Sequence, residues 1–177
     1  FCIDYVNGRV PVIAGTGSND TRYAIELCQF ASKAGADGLL TVTPYYNKSS
    51  QRGLIQHFTA LADCSDTPII LYNVPSRTGV SIAADTYYQL SKHPNINGCK
   101  EASGDFSLLA EAMRLCGDEL NFWSGNDDMI VPIIAMGGKG VISVLANVAP
   151  DAAHNIAQSA LDGNYEQARA LQLKYLD

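Results

Sequence analysis

Lys100, Tyr72, Tyr46 and Arg77 are the residues whose types and surroundings could do chemistry in this sequence. Lys100 lies in Gly98-Cys99-Lys100-Glu101-Ala102-Ser103-Gly104-Asp105, an apolar approach that ends in a lysine and then breaks into a turn. An amine is nucleophilic only when neutral, and a lysine with a pKa near ~10.4 is neutral in about one molecule in a few thousand at pH 7. Burial in an apolar pocket disfavours the charged form and brings catalytic lysines to roughly 7–8. A lysine at the mouth of a closed sheet would meet this condition and could act as a covalent catalyst. The competing reading is a solvated charge at a strand end, the commoner fate of a lysine.

Tyr45-Tyr46 and Tyr72 could supply the proton transfers. If strand side chains alternate, Ile70, Tyr72 and Val74 share one face, while Cys99 and Glu101 lie opposite to Lys100. A buried tyrosine hydroxyl near a lysine can relay protons during imine formation; otherwise it is an amphipathic core residue with a backbone partner. Arg77 sits in Pro75-Ser76-Arg77-Thr78-Gly79, just beyond Tyr72. Its guanidinium could grip a carboxylate through two parallel hydrogen bonds, or make an incidental surface ion pair. Glu101 and Asp127-Asp128 read as structural: the first points away from the barrel centre, and the aspartates suit a helix N-terminus.

These residues need elements to present them. Six strand-like segments recur, at Val10–Gly15, Gly38–Thr43, Pro68–Val74, Ile96–Glu101, Asn121–Ser124 and Gly140–Val144. Helices are predicted at Thr21–Lys33, Gln51–Asp63, Ala83–Ser91, Phe106–Cys116, Asp127–Met136, Asp151–Leu161 and Tyr165–Leu176. Continuous apolar runs such as Val10-Pro11-Val12-Ile13-Ala14 suit strands covered on both faces. A repeated βα unit implies a parallel sheet, because parallel neighbours need a crossover. Polar and reactive residues gather at the C-terminal ends of successive strands, as on the active face of a TIM (β/α)8 barrel; an open sheet would concentrate them at one switch point. Phe1 to Arg9 shows no clear element.

A TIM barrel needs eight units and typically ~250 residues, whereas this chain has 177 and six units. It begins just before a strand and stops inside an apparent helix at Gln172–Asp177. The expectation is therefore an internal fragment: residues 1–177 form one partial TIM-barrel domain plus the start of a C-terminal helical region. Gly15-Thr16-Gly17 is not a phosphate loop, since Asp20 stands where GxGxxG requires its third glycine.

Composition narrows the partners. The net charge of −6 and pI near 4.9 disfavour nucleic acid and anionic membranes. No apolar run reaches the roughly 18 residues that span a bilayer. Five scattered cysteines and three scattered histidines point to reduced thiols, with no disulfide framework and no metal site. The expected setting is cytoplasmic.

Four motifs in order, Thr41-Val42-Thr43-Pro44-Tyr45-Tyr46-Asn47, Tyr72-Asn73-Val74-Pro75-Ser76-Arg77-Thr78-Gly79, Lys100-Glu101-Ala102-Ser103-Gly104 and Gly140-Val141-Ile142-Ser143-Val144, resemble the dihydrodipicolinate synthase family. Those proteins are pyruvate-dependent Schiff-base aldolases, as is N-acetylneuraminate lyase. The resemblance implies a lyase of lysine biosynthesis that condenses pyruvate with aspartate semialdehyde and needs no cofactor. It implies that Lys100 forms the imine, Tyr72 is the general acid/base, and Tyr46 joins the relay from a neighbouring subunit. Arg77 would hold the aldehyde substrate's carboxylate, and the backbone at Ile142 would contact pyruvate. It further implies a homotetramer built as a dimer of dimers. The family's early Thr-Thr pair and first two βα units have no counterpart in this sequence. Asn19 and Tyr45 match positions that contact a lysine inhibitor, but the usual acidic residue shortly after Asn19 is missing from Asp20-Thr21-Arg22-Tyr23, which weighs against lysine regulation. The alternatives are a related aldolase acting on sugar acids, such as a 2-keto-3-deoxy sugar acid aldolase, and a non-catalytic carboxylate-binding barrel.

Overall fold

The computed structural model describes residues 1–176; Asp177, the end of the last expected helix, lies outside the described residues. Five parallel strands, β1 (Ile13–Gly15), β2 (Gly38–Val42), β3 (Ile69–Asn73), β4 (Ile96–Glu101) and β5 (Asn121–Ser124), pair in sequence order β1-β2-β3-β4-β5. An unreversed order, each strand joined to the next by a helical crossover, makes the sheet an arc of a (β/α)8 barrel, as expected; a doubly wound sheet would reverse direction at a switch point.

Helix α2 (Thr21–Lys33) follows β1, α3 (Gln51–Asp63) follows β2, α5 (Ala84–Leu90) follows β3 and α6 (Phe106–Cys116) follows β4. Asp20, Ser50 and Asp105 cap α2, α3 and α6 by accepting from the N–H groups of Tyr23, Gly53 and Leu108, which satisfies donors that the first turn leaves free. The core lies between these helices and one face of the sheet. Leu39, Ile69, Leu71, Ile96, Cys99 and Phe122 pack there against Leu54, Phe58, Leu61, Tyr87, Leu90 and Leu109. Period-two alternation turns Tyr72 and Lys100 to the other face. A second apolar cluster joins α7 (Ile130–Ala135), α8 (Pro150–Leu161) and α9 (Tyr165–Lys174) through Ile130, Ile134, Ile156, Ala160 and Ala168.

Four expectations need correction. Gly140–Val144 is not a full strand: it makes one bridge, Ser124 to Val141. The Asp127 carboxylate accepts from the Ser143 hydroxyl and from the N–H groups of Val144 (3.2 Å) and Leu145 (3.0 Å), which bends the chain off the sheet into a 3₁₀ turn at Leu145–Asn147. The first strand starts only at Ile13, because Pro11 has no N–H to pair and the Val12 N–H goes to Asp37 Oδ2 at 2.7 Å. Phe1–Arg9 contains a short helix α1 (Cys2–Val6), closed by the Arg9 guanidinium on the carbonyls of Tyr5 and Val6; five residues are too few to show a period. The helix expected over Asp127–Met136 splits into a 3₁₀ turn, Asp127–Met129, and α7. Among the described residues, no helix is long and apolar enough to cross a membrane.

His57 is buried in α3, its Nδ1 2.8 Å from Thr21 Oγ1 and its Nε2 without a partner among the described residues. Burial pulls its pKa from 6.5 to about 4. Between those values the unfolded chain binds a proton that the folded chain does not. The resulting stability is therefore present above pH 6.5 and lost as pH falls towards 4. Unfolding free energies of the whole protein from urea titrations between pH 7 and 4 are expected to fall more than those of His57→Gln, by about 3 kcal/mol over the full window. Equal slopes would contradict this.

Candidate active site

The parallel register places Val42, Tyr72, Lys100 and Trp123 in one row across β2 to β5. Residues in register on neighbouring strands project to the same face, so Tyr72 and Lys100 meet by strand pairing alone. The Lys100 Nζ stands over the Tyr72 ring, 4.3 Å from its centroid.

Glycines on both sides make room for this lysine. Gly98 lies two residues earlier on the same face, and a Cβ there would collide with the Trp123 ring, which leans across the bare backbone. Beyond β5, a Cβ on Gly125 would come 2.7 Å from Ala102 Cβ and 3.0 Å from Lys100 Cε. The lysine stem is therefore flanked by Tyr72 and the Gly125 backbone, with Trp123 its register neighbour on β5. Removal of water is the larger influence on Lys100 and lowers its pKa below 10.5; the negative charge of Asp127 partly opposes this. Burial raises the Tyr72 pKa above 10.0, and the nearby Arg77 cation pulls it back. The pair thus combines an amine eased towards its neutral form with a phenol that keeps its proton, which suits one group to attack a carbonyl and the other to donate a proton.

Arg77 projects from a single helical turn, α4 (Pro75–Thr78), ended by Gly79 at φ 76°. With Val42, Tyr45, Tyr72 and Val74 it lines a cleft of about 540 Å³. Its guanidinium makes no ion pair among the described residues, so the incidental surface pairing considered from sequence is not seen. An unpaired guanidinium beside a tyrosine-lined cleft is suited to a carboxylate.

Tyr46 is not brought to Lys100. It is 87% exposed, held at φ 73°, with its N–H bonded to the Thr78 carbonyl at 2.9 Å. It lines a separate outer cleft with Tyr45, Lys48 and residues 75–79. Ile142 donates its N–H to the Ser124 carbonyl at 2.8 Å, which ties it to the end of β5. Asn19 accepts the Asn47 side-chain amide on its carbonyl at 2.8 Å and does not line the cleft that Tyr45 shares with Arg77. Sequence reasoning missed Gly98, Trp123 and Gly125. The available signal was a glycine two residues before the lysine and the chain's one tryptophan.

The profile described as "Dihydrodipicolinate synthetase family" matches residues 1–177. The chain is 56% identical over 176 residues to 4-hydroxy-tetrahydrodipicolinate synthase of Caldicellulosiruptor saccharolyticus, covering 99% of this chain and 59% of that protein. Among solved structures, dihydrodipicolinate synthase from Aquifex aeolicus superposes with a TM-score of 0.94 at 42% identity, covering 97% of this chain and 59% of that one. The chloride-inhibited enzyme from Acinetobacter baumannii complexed with pyruvate gives a TM-score of 0.94 at 44% identity, with the same coverage. The chain thus spans about three-fifths of the length of the relatives it matches.

Asp127 favours the charged form of Lys100, so its neutralisation is expected to move the titration of Lys100 to lower pH. Amine-selective acylation at graded pH, with the Lys100 peptide read by mass spectrometry, measures this in Asp127→Asn. An unchanged or upward-shifted midpoint would contradict the assignment.

Proposed function

Because this chain belongs to the dihydrodipicolinate synthetase family, we propose that in the whole protein it condenses pyruvate with aspartate semialdehyde to give 4-hydroxy-tetrahydrodipicolinate. The observation that carries this reading is the Lys100 amine, partly withdrawn from water and set over the Tyr72 ring, beside an arginine without an acidic partner among the described residues.

Neutral Lys100 attacks the keto carbon of pyruvate, and the carbinolamine loses water to leave an imine. Tyr72 donates the proton that the departing hydroxyl needs. The positive imine acidifies the former pyruvate methyl group. Loss of a proton there gives an enamine, whose carbon attacks the aldehyde carbon of the second substrate. Attack of that substrate's own amine on the imine carbon then closes the ring and frees Lys100.

Arg77 holds the carboxylate of the aldehyde substrate as a two-point clamp, and the backbone at Ile142 contacts bound pyruvate. Tyr46 completes the proton relay in a neighbouring subunit of a homotetramer; its 87% exposure supports that role. Asn19 and Tyr45 are the positions at which lysine would be sensed, and the lack of the usual acidic residue in Asp20-Thr21-Arg22-Tyr23 weighs against such control. The described cysteines are all free thiols, which suits the reducing cytoplasm.

Borohydride reduction of the whole protein with pyruvate should leave a stable adduct on the Lys100 peptide, lost in Lys100→Ala. An adduct elsewhere, or none on folded protein, would overturn the proposal. Arg77→Ala should still trap pyruvate but raise the KM for aspartate semialdehyde by roughly 10–100-fold, the equivalent of about 1.4–3 kcal/mol for a lost charge-assisted contact. An unaltered KM in steady-state assays would remove Arg77 from the site.

A further inference from the structure

On the far side of β4 from the cleft lies a carboxylate that the mechanism does not use. Glu101 follows Lys100 directly and is 3% exposed. Among the described residues it has no cationic partner. Three kinds of donor converge on it instead. The Tyr87 hydroxyl of α5 donates to Oε2 at 2.5 Å. The Asn73 side-chain amide reaches both oxygens, at 3.1 and 3.3 Å. The Ser103 N–H, in the turn leaving β4, donates to Oε1 at 2.6 Å.

Asn73 is the second node. It is fully buried at the end of β3 and directly follows Tyr72. Its Oδ1 accepts the Ile82 N–H at 3.1 Å, its Nδ2 lies 3.4 Å from Ser81 Oγ, and its backbone carbonyl accepts the Ala102 N–H at 2.8 Å. The network therefore ties together the C-terminal ends of β3 and β4, helix α5 and the segment that returns from the Arg77 turn. Asn73 and Glu101 are register partners, as are Tyr72 and Lys100.

Stability alone does not account for this arrangement, since well-packed apolar residues usually serve a fold as well as a buried carboxylate or better. Geometry does account for it. Adjacent residues of a strand project to opposite faces, so a side chain clamped on one face fixes how the strand is rotated and where its neighbour points on the other. Clamping Glu101 and Asn73 to each other sets Lys100 against Tyr72.

We infer that Glu101, held by Asn73, Tyr87 and Ser103, is a positioning residue that acts through the backbone to keep the Lys100 amine and the Tyr72 phenol in reacting register. The inference rests on the proposed imine chemistry and assigns a function to a residue that touches neither substrate.

Glu101→Gln preserves volume but replaces one acceptor oxygen with a donor, so at least one of the three donors then faces another donor. In the whole protein, this variant should form the borohydride-trapped pyruvate adduct roughly 10–100-fold more slowly, the scale on which small misplacements act. Half-saturation in pyruvate should change little. Tyr87→Phe removes one hydroxyl and should slow trapping by a smaller factor, and the double variant should be no slower than Glu101→Gln, because both changes release one clamp. If Glu101→Gln does not fold, Tyr87→Phe decides. A lowered melting temperature with trapping as fast as the parent's would reduce Glu101 to a structural residue and overturn the inference. Absence of an adduct in the parent protein itself would instead overturn the proposed function, so the two failures are distinguishable.

Discussion

Partial removal of water from one half-buried amine is the constraint on which this structure turns. A lysine in solvent is a cation and a poor nucleophile. Lys100 can be otherwise only because β4 carries it onto the side of the sheet away from the helices, with Tyr72 on one neighbouring strand and Trp123 on the other. The helical layer contributes indirectly. By burying Leu71, Cys99 and Phe122 on the opposite face, it fixes the strands whose alternate residues make the site. Core packing and site geometry are two faces of the same strands, so a change in register would disturb both at once.

The charges around the lysine are balanced against that desolvation. Asp127 favours the ammonium form, and Arg77 favours ionisation of Tyr72. Both oppose the effect of burial, which remains the larger influence in each case. Asp127 also holds the segment after Ile142 by accepting from Ser143, Val144 and Leu145. One carboxylate thus sets the path of the chain beyond β5 and tempers the amine beside it. Its reading from sequence as a structural residue captured only the first role.

The rim of the site is built differently from its floor. Arg77 and Tyr46 sit on short turns that follow strands, and both Tyr46 and Lys48 occupy the left-handed region that non-glycine residues rarely adopt. The Tyr46 N–H anchors this rim to the Thr78 carbonyl near Arg77, so the two rim segments support each other.

By itself the sequence determined the alternation of strands and helices and the parallel sheet, and it singled out Lys100, Tyr72 and Arg77 as candidates for chemistry. Those features are local: apolar runs, caps such as Asp20 and Asp105, and motifs confined to a few positions. Only the tertiary structure decided that Tyr72 and Lys100 share a row, that Trp123 and Gly125 flank the lysine, and that Glu101 is clamped to Asn73 and Tyr87. It also decided that Gly140–Val144 breaks away after one bridge and that Tyr46 stands apart from the amine. Each of these depends on residues far apart in the chain, brought together by strand register and by long-range hydrogen bonds that no local pattern encodes.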